Sequence, residues 1–222
     1  MKALVFENDP SCPLARLEGP MVSRGISAEI VAPGDIGSLG EPRRYDLAIV
    51  LGSDDSAYDD SVPWVAEEFD YVRRAIESGV PVLGICFGAQ MLARALGAVV
   101  RKADAPEVGW KSMMRAKAAA WMPPGPWLTW HQDTFDWPPG AAPLAWTDEA
   151  PQAFSQGRHL GIQFHPEATA EMIEQWLEVD RRTLALKDID HQALLAETRE
   201  QDGQAGEAAR ILFERYFDRL RS

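Results

Sequence analysis

Val80-Pro-Val-Leu-Gly-Ile-Cys-Phe-Gly-Ala-Gln90, running on as Met91-Leu-Ala-Arg-Ala-Leu-Gly97, decides how this chain folds. A short apolar run rich in β-branched residues reaches Gly84-Ile-Cys-Phe-Gly88, and a helical pattern starts directly behind it. Strand, sharp turn and helix form the setting in which a G-x-nucleophile-x-G elbow makes physical sense. Glycines admit the strained turn, and the central residue stands exposed at the strand end. The N-terminus of the following helix points at the thiol, and its positive end favours thiolate. Cys86 is therefore the candidate nucleophile.

Upstream, the same strand-then-helix rhythm repeats. Lys2–Phe6 reads as a buried strand, and Leu14, Leu17, Met21 and Val22 have helical spacing up to Gly25. Ser27–Val31 is a second strand, 33–42 a Gly/Pro-rich connection, and 46–51 a third strand that closes on Gly52-Ser53. Pro63 opens a helix where its missing N–H costs nothing; Val65, Phe69, Val72 and Ile76 form the stripe and Gly79 ends it. This alternation predicts an α/β fold, a doubly wound, mostly parallel sheet with helices on both faces. Beyond Gly97, extended runs at 112–116, 127–130, 144–147, 152–155 and 159–164 are separated by Pro, Gly and Trp. They predict an antiparallel extension along one side of the sheet. From Ala168 the pattern is helical again, with 201–206 (Gln-Asp-Gly-Gln-Ala-Gly) as the loop between the last two helices. One domain over residues 1–222 is expected, with a core at about 2–168 and C-terminal helices in 169–222.

The 222 residues are 46% hydrophobic and 25% charged, ordinary globular composition with ample material for a core. A net charge of −12 argues against nucleic acid or an anionic membrane as partner. Two cysteines, Cys12 and Cys86, make no disulfide framework, which suits a reducing cytoplasm. The apolar run at 3–6 is too short for a signal peptide, and no stretch approaches the ~20 apolar residues of a membrane helix.

A thiol nucleophile needs an imidazole to take its proton and a group to orient that imidazole. Of His131, His159, His165 and His191, His165 stands out because it follows the apolar run Leu160-Gly-Ile-Gln-Phe164 and precedes Pro166-Glu167. The proline fixes the backbone, so the carboxylate two residues on can turn back to the ring. The order Cys86, His165, Glu167 differs from that of an α/β-hydrolase, in which the acid precedes the histidine.

Gly84-Ile-Cys-Phe-Gly-Ala-Gln90 and Gln163-Phe-His-Pro-Glu167 together resemble the class I (triad) glutamine amidotransferases, the family that includes the glutaminase domain of GMP synthetase. Pro106-Glu-Val-Gly-Trp110 and Trp130-His-Gln-Asp-Thr-Phe135 are similar to stretches of its stand-alone members. The resemblance implies that Cys86 attacks the γ-carboxamide of glutamine, or of another γ-glutamyl amide. His165 would relay the proton and Glu167 would orient it. It also implies an oxyanion hole from the backbone N–H of Phe87 and of Gly52-Ser53, where the family has Gly-Gly. Ser53 makes any flip to positive φ costlier. Gln90 matches a glutamine-lining position, and His131-Gln132-Asp133 a loop that contacts the substrate's amino-acid end.

Plainer readings stand beside these. A cysteine in an apolar turn is often just a small buried hydrophobe. Gln90 in a first helical turn can face solvent. His131 can pack as a loop histidine and is the rival to His165 as base; Asp133 suits a turn. Cys12 reads as incidental. Trp121, Trp127, Trp130 and Trp137 read as packing a loop-rich layer, with a pocket for an apolar leaving group as the alternative. Asp54, Asp55, Asp59 and Asp60 lack ordered ligand spacing, so no metal is expected. No G-x-x-x-x-G-K-[ST] loop occurs, so no cofactor is expected and a synthetase would be a separate chain. Three functions remain open. One is a glutaminase that releases ammonia for a separate acceptor enzyme. The others are a free-standing γ-glutamyl amide or peptide hydrolase and a catalytically silent regulatory homologue.

Overall fold

Every residue of Leu47–Val50 and of Val82–Ile85 is buried, as apolar strands must be when helices cover both faces of a sheet. A computed structural model describes residues 1–179 and 189–221. The strands are β1 (Lys2–Phe6), β2 (Ser27–Val31), β3 (Leu47–Val50), β4 (Val82–Ile85), β5 (Val100–Lys111), β6 (Met114–Arg115), β7 (Trp127–Phe135), β8 (Ala142–Trp146), β9 (Pro151–Gln156) and β10 (His159–Ile162). The helices are α1 (Glu18–Ser23), α2 (Pro63–Glu77), α3 (Phe87–Ala95), α4 (Ala170–Val179) and α5 (His191–Arg219).

One sheet runs in the order β2-β1-β3-β4-β10-β9-β8-β6. It is parallel from β2 through β10 and antiparallel from β10 outward. Alternation along β1 divides the core. Ala3 and Val5 face Phe213 and Phe217 of α5, while Leu4 and Phe6 face Val65 and Tyr71 of α2 and Phe87 of α3. The expected mostly parallel sheet with an antiparallel side is present.

Three local expectations differ. First, 127–130 belongs to β7, which pairs with β5 in a separate two-stranded ribbon and does not join the main sheet. β5 had no strand signature because its pairing register slips between Lys102 and Glu107, so its side chains follow no period of two. Second, the run at 112–116 pairs only over Met114–Arg115. Third, 201–206 is not a loop but the middle of α5. Asp202 forms an ion pair with Arg16 and accepts from the Ala170 N–H (3.2 Å), so tertiary contacts hold the glycine-rich turn helical. The tryptophans likewise do not share one layer. Trp127 stacks on Phe164 in the core at 4.8 Å, Trp121 lies under Arg219, and Trp137 packs on the opposite face.

Glu68 of α2 is fully buried, where helical spacing alone gives no warning. Asn8 donates to its Oε1 at 3.3 Å, and Oε2 has no partner. Burial pushes the carboxyl up to about 8 from an ordinary 4.5, only partly offset by the Asn8 hydrogen bond. The unfolded chain therefore loses this proton first, and stability falls as pH rises from 4.5 to about 8, by roughly 1.4 kcal/mol per pH unit. Glu68→Gln is expected to match the wild type near pH 4.5 and to be more stable by a few kcal/mol above pH 8. Urea unfolding at the two pH values reads the difference; parallel pH dependences would refute it.

Candidate active site

The carboxyl ends of β1, β3, β4 and β10 lie along one edge, where the loops of an open parallel sheet form its crevice. The β4–β10 register pairs Gly84 with Gly161 and Ile85 with Ile162, and the Cys86 N–H donates to the Ile162 carbonyl at 2.8 Å. Gln163 therefore arrives beside Cys86, its Nε2 3.6 Å from Sγ. Two residues on, the His165 N–H donates to the Leu128 carbonyl of β7 at 2.8 Å, which ties the ribbon to the sheet at this point.

Cys86 itself carries the strain of the elbow, with φ +53° and ψ −109°. Neither Gly84 nor Gly88 is left-handed, contrary to the expectation that the glycines absorb the turn. They serve close approach. A Cβ on Gly84 would lie 2.1 Å from the Gly88 carbonyl oxygen, and one on Gly88 would lie 2.0 Å from the Val50 carbonyl oxygen. α3 is thus seated directly on the end of β3, with Phe87 as its first residue, whose N–H lacks an intrahelical acceptor.

His165 Nδ1 is 2.6 Å from Glu167 Oε1, and its Nε2 is 3.3 Å from the Trp130 carbonyl, the same oxygen that lies 3.7 Å from Cys86 Sγ. Both partners of the ring are acceptors, so this arrangement presents an N–H on each side. Burial opposes charge on the ring, but the Glu167 carboxylate and then Cys86 outweigh it, and the imidazole is held well above its ordinary value. Trp176 of α4 stands edge-on to the His165 ring at 4.9 Å. Cys12 borders the same space; burial first, and Glu167 second, push its thiol up.

A cavity of about 180 Å³ extends from Cys86 along Phe87, Gln90, Gln132 and Asp133. Gln90 is buried, and its Nε2 donates to Gln163 Oε1 (3.2 Å) and to the Asp133 carbonyl (3.3 Å). The side-chain chain Gln90–Gln163–Cys86 was not legible as such; the position of Gln163 two residues before His165 was its one signal. Asp133 accepts from Ser56 Oγ at 2.6 Å, binding the loop after β3 to β7. His131 lines the cavity but is committed elsewhere. Its Nδ1 meets the Asp133 carbonyl at 3.0 Å, and its Nε2 meets Glu107 at 3.3 Å and Gln152 at 3.2 Å. Burial works against charge on Glu107, yet the His131 hydrogen bond holds its carboxyl below the usual range. Gly52 and Ser53 sit across from Cys86, and neither adopts positive φ.

Residues 21–178 match the family model of glutamine amidotransferase class-I. The glutamine-hydrolyzing GMP synthase of Aeropyrum pernix is 30% identical over 174 residues, 70% of this chain and 32% of that protein. That of Thermus thermophilus is 32% identical over 163 residues, 68% and 31%. The chain spans about a third of the length of these curated relatives. A glutamine amidotransferase structure from Thermotoga maritima superposes with a TM-score of 0.85 at 28% identity, covering 97% of each chain. One from Methylobacillus flagellatus gives 0.86 at 22% identity, over 98% of this chain and 94% of that one, a likeness of fold. Among the described residues no helix is long and apolar enough to cross a membrane.

Proposed function

Because the chain belongs to the class I glutamine amidotransferase family, we propose that it hydrolyses the γ-carboxamide of glutamine through a thioester on Cys86 and releases ammonia to a separate acceptor enzyme. The supporting observation is convergence. The Cys86 thiol, the His165–Glu167 pair and an amide-lined cavity meet at one strand-end crevice.

His165 takes the thiol proton, and Glu167 stabilises the imidazolium that results. The Gln163 amide N–H faces the sulfur at 3.6 Å and helps to fix its position for attack. Sγ adds to the γ-carbonyl carbon while the substrate backbone lies toward Gln90, Gln132 and Asp133. The developing oxyanion is met by the Phe87 N–H, at the positive end of α3, and by the backbone N–H at Gly52-Ser53. As the C–N bond breaks, His165 Nε2 gives its proton to the nitrogen and ammonia leaves. A water then returns a proton to Nε2 and adds to the thioester; the C–S bond breaks and glutamate leaves. The relatives are glutamine-hydrolyzing GMP synthases, which suggests an amidating synthetase as acceptor.

Purified protein with glutamine is expected to release glutamate, and a glutamine-like electrophile such as diazo-oxo-norleucine to label Cys86 stoichiometrically. Absence of both glutamate release and labelling would overturn the reading. Glu167→Gln is expected to slow hydrolysis by ~10²-fold. It also removes the charge that raises the His165 pKa, so the alkaline limb of the pH profile, where the imidazolium is lost, moves to lower pH. An unmoved limb would show that Glu167 acts on structure alone.

A further inference from the structure

A chain of buried polar groups ends on the Cys86 sulfur, and its far end takes no part in the chemistry described so far. Glu107 of β5, His131 of β7, Gln152 of β9, Gln90 of α3 and Gln163 are all buried. Gln152 Nε2 donates to Glu107 Oε2 at 2.8 Å and lies 3.2 Å from His131 Nε2, which is 3.3 Å from the same carboxylate oxygen. The other ring nitrogen, Nδ1, is 3.0 Å from the Asp133 carbonyl. That carbonyl also accepts from Gln90 Nε2 at 3.3 Å. Gln90 Nε2 donates again to Gln163 Oε1 at 3.2 Å, and Gln163 Nε2 stands 3.6 Å from Cys86 Sγ.

The chain has a sense, and one atom sets it. A backbone carbonyl can only accept, so His131 Nδ1 carries a proton and Gln90 turns its NH₂ group to Asp133. The same NH₂ group meets the Gln163 oxygen, which leaves the Gln163 NH₂ group for the sulfur. Reversing Gln90 would set two oxygens together. Reversing Gln163 would set two NH₂ groups together and turn its carbonyl oxygen to Cys86. Glu107 and Gln152 hold the ring in the form this requires. The carboxylate receives Nε2–H of an imidazolium, and the Gln152 amide donates to the Nε2 lone pair of a neutral ring, so Nδ1 is the donor in both. Gln152 Oε1 stays buried without a partner, a desolvation cost that apolar packing would avoid.

We propose that Glu107, His131 and Gln152 form a remote positioning unit for the nucleophile: through the Asp133 carbonyl and Gln90 they fix which end of the Gln163 amide meets the Cys86 sulfur. The proposal rests on Cys86 as the nucleophile of the glutaminase reading and deepens it. His131 is thereby a positioning residue, acting through Asp133 and two amides, and not a second base.

The test is the second-order rate of Cys86 alkylation by iodoacetamide, read by peptide mass, beside kcat for glutamine, both in the full chain. Alkylation needs the sulfur but no glutamine. An asparagine amide can set an N–H where Nδ1 stands, whereas a glutamine amide reaches the place of Nε2. His131→Asn is therefore expected to keep more of both rates than His131→Gln. The latter is expected to slow alkylation by ~2–10-fold, the worth of one neutral hydrogen bond, and kcat by ~10–100-fold. Gln90→Met cuts the next link and is expected to slow alkylation as much as His131→Gln does. The double variant should be no slower than the slower single one, because both break the same chain. Residues that act by packing alone would give additive losses and no difference between the two amides at position 131. Either of those results overturns the proposal. Where the position-131 variants do not fold, Glu107→Gln with and without Gln90→Met puts the same question of additivity. A wild type that releases no glutamate while its variants follow the alkylation pattern overturns the glutaminase reading and leaves the positioning unit standing. A wild type that hydrolyses glutamine while the pattern is absent overturns the unit alone.

Discussion

Cys86→Ala is expected to lower the kcat for glutamine hydrolysis by ~10⁴-fold or more, because the proposed mechanism forms its acyl intermediate on Cys86 and the members of such a unit fail together. The fold should survive. Alanine keeps the same Cβ in the same left-handed backbone, and a change of about 1 kcal/mol moves the unfolding midpoint of a chain this long by only about 2–4 °C. The φ of +53° at this residue also bears on stability. A side chain held there costs on the order of 1–3 kcal/mol, which glycine relieves. Cys86→Gly is therefore expected to unfold at a higher temperature than Cys86→Ala while being equally inactive. If Cys86→Ala retained glutaminase turnover, or if the glycine variant melted below the alanine one, the nucleophile or the strain assigned to it would be wrong. Calorimetry and glutamate release measure both.

The second large effect is on stability. Gly88→Ala places a methyl 2.0 Å from the Val50 carbonyl oxygen and 2.6 Å from its carbon. Both are backbone atoms of a buried central strand, so no side-chain rotation relieves the overlap. α3 would have to lift off β3 and carry Cys86 and Phe87 with it. A loss of more than about 4 kcal/mol, or failure to fold, is expected. Gly203→Ala is the internal control. It lies exposed within α5 with nothing within 4 Å of the added methyl, and should stabilise by roughly 0.5–1 kcal/mol. Urea midpoints of the two variants against the wild type decide it; a tolerated Gly88→Ala would mean that the helix is not seated on the strand as described.

The elbow shows how far the local pattern reached. Strand, turn and helix around Cys86 were readable because their periodicities are set by residues within a few positions of one another. The reason for the glycines was not. It lies in the distance from Gly88 to Val50, thirty-eight positions earlier in the chain. Glu68 hides in a similar way. It occupies a helical position that could face either way, and its burial depends on segments such as the one carrying Asn8, sixty positions away. Among the candidate site residues, Gln90 proved buried and hydrogen-bonded toward Cys86 through Gln163, whereas His131 was drawn into a pairing with Glu107 and Gln152. Both glutamines and Glu107 are polar groups whose burial a single sequence does not announce.

By itself the sequence determined the alternating strands and helices of the parallel half, the elbow, and the motifs carrying Cys86, His165 and Glu167 in an order that points to one family. Tertiary structure alone decided that β5 and β7 stand apart as a ribbon, that α5 runs unbroken through Gly203 and Gly206, and that Trp176 and Cys12 close in beside the His165 ring. The physical reason is range. Hydrophobic period and turn chemistry are properties of neighbours along the chain, while the Asp202–Arg16 ion pair, the seat of α3 on Val50 and the crevice at Cys86 depend on segments that meet only after folding.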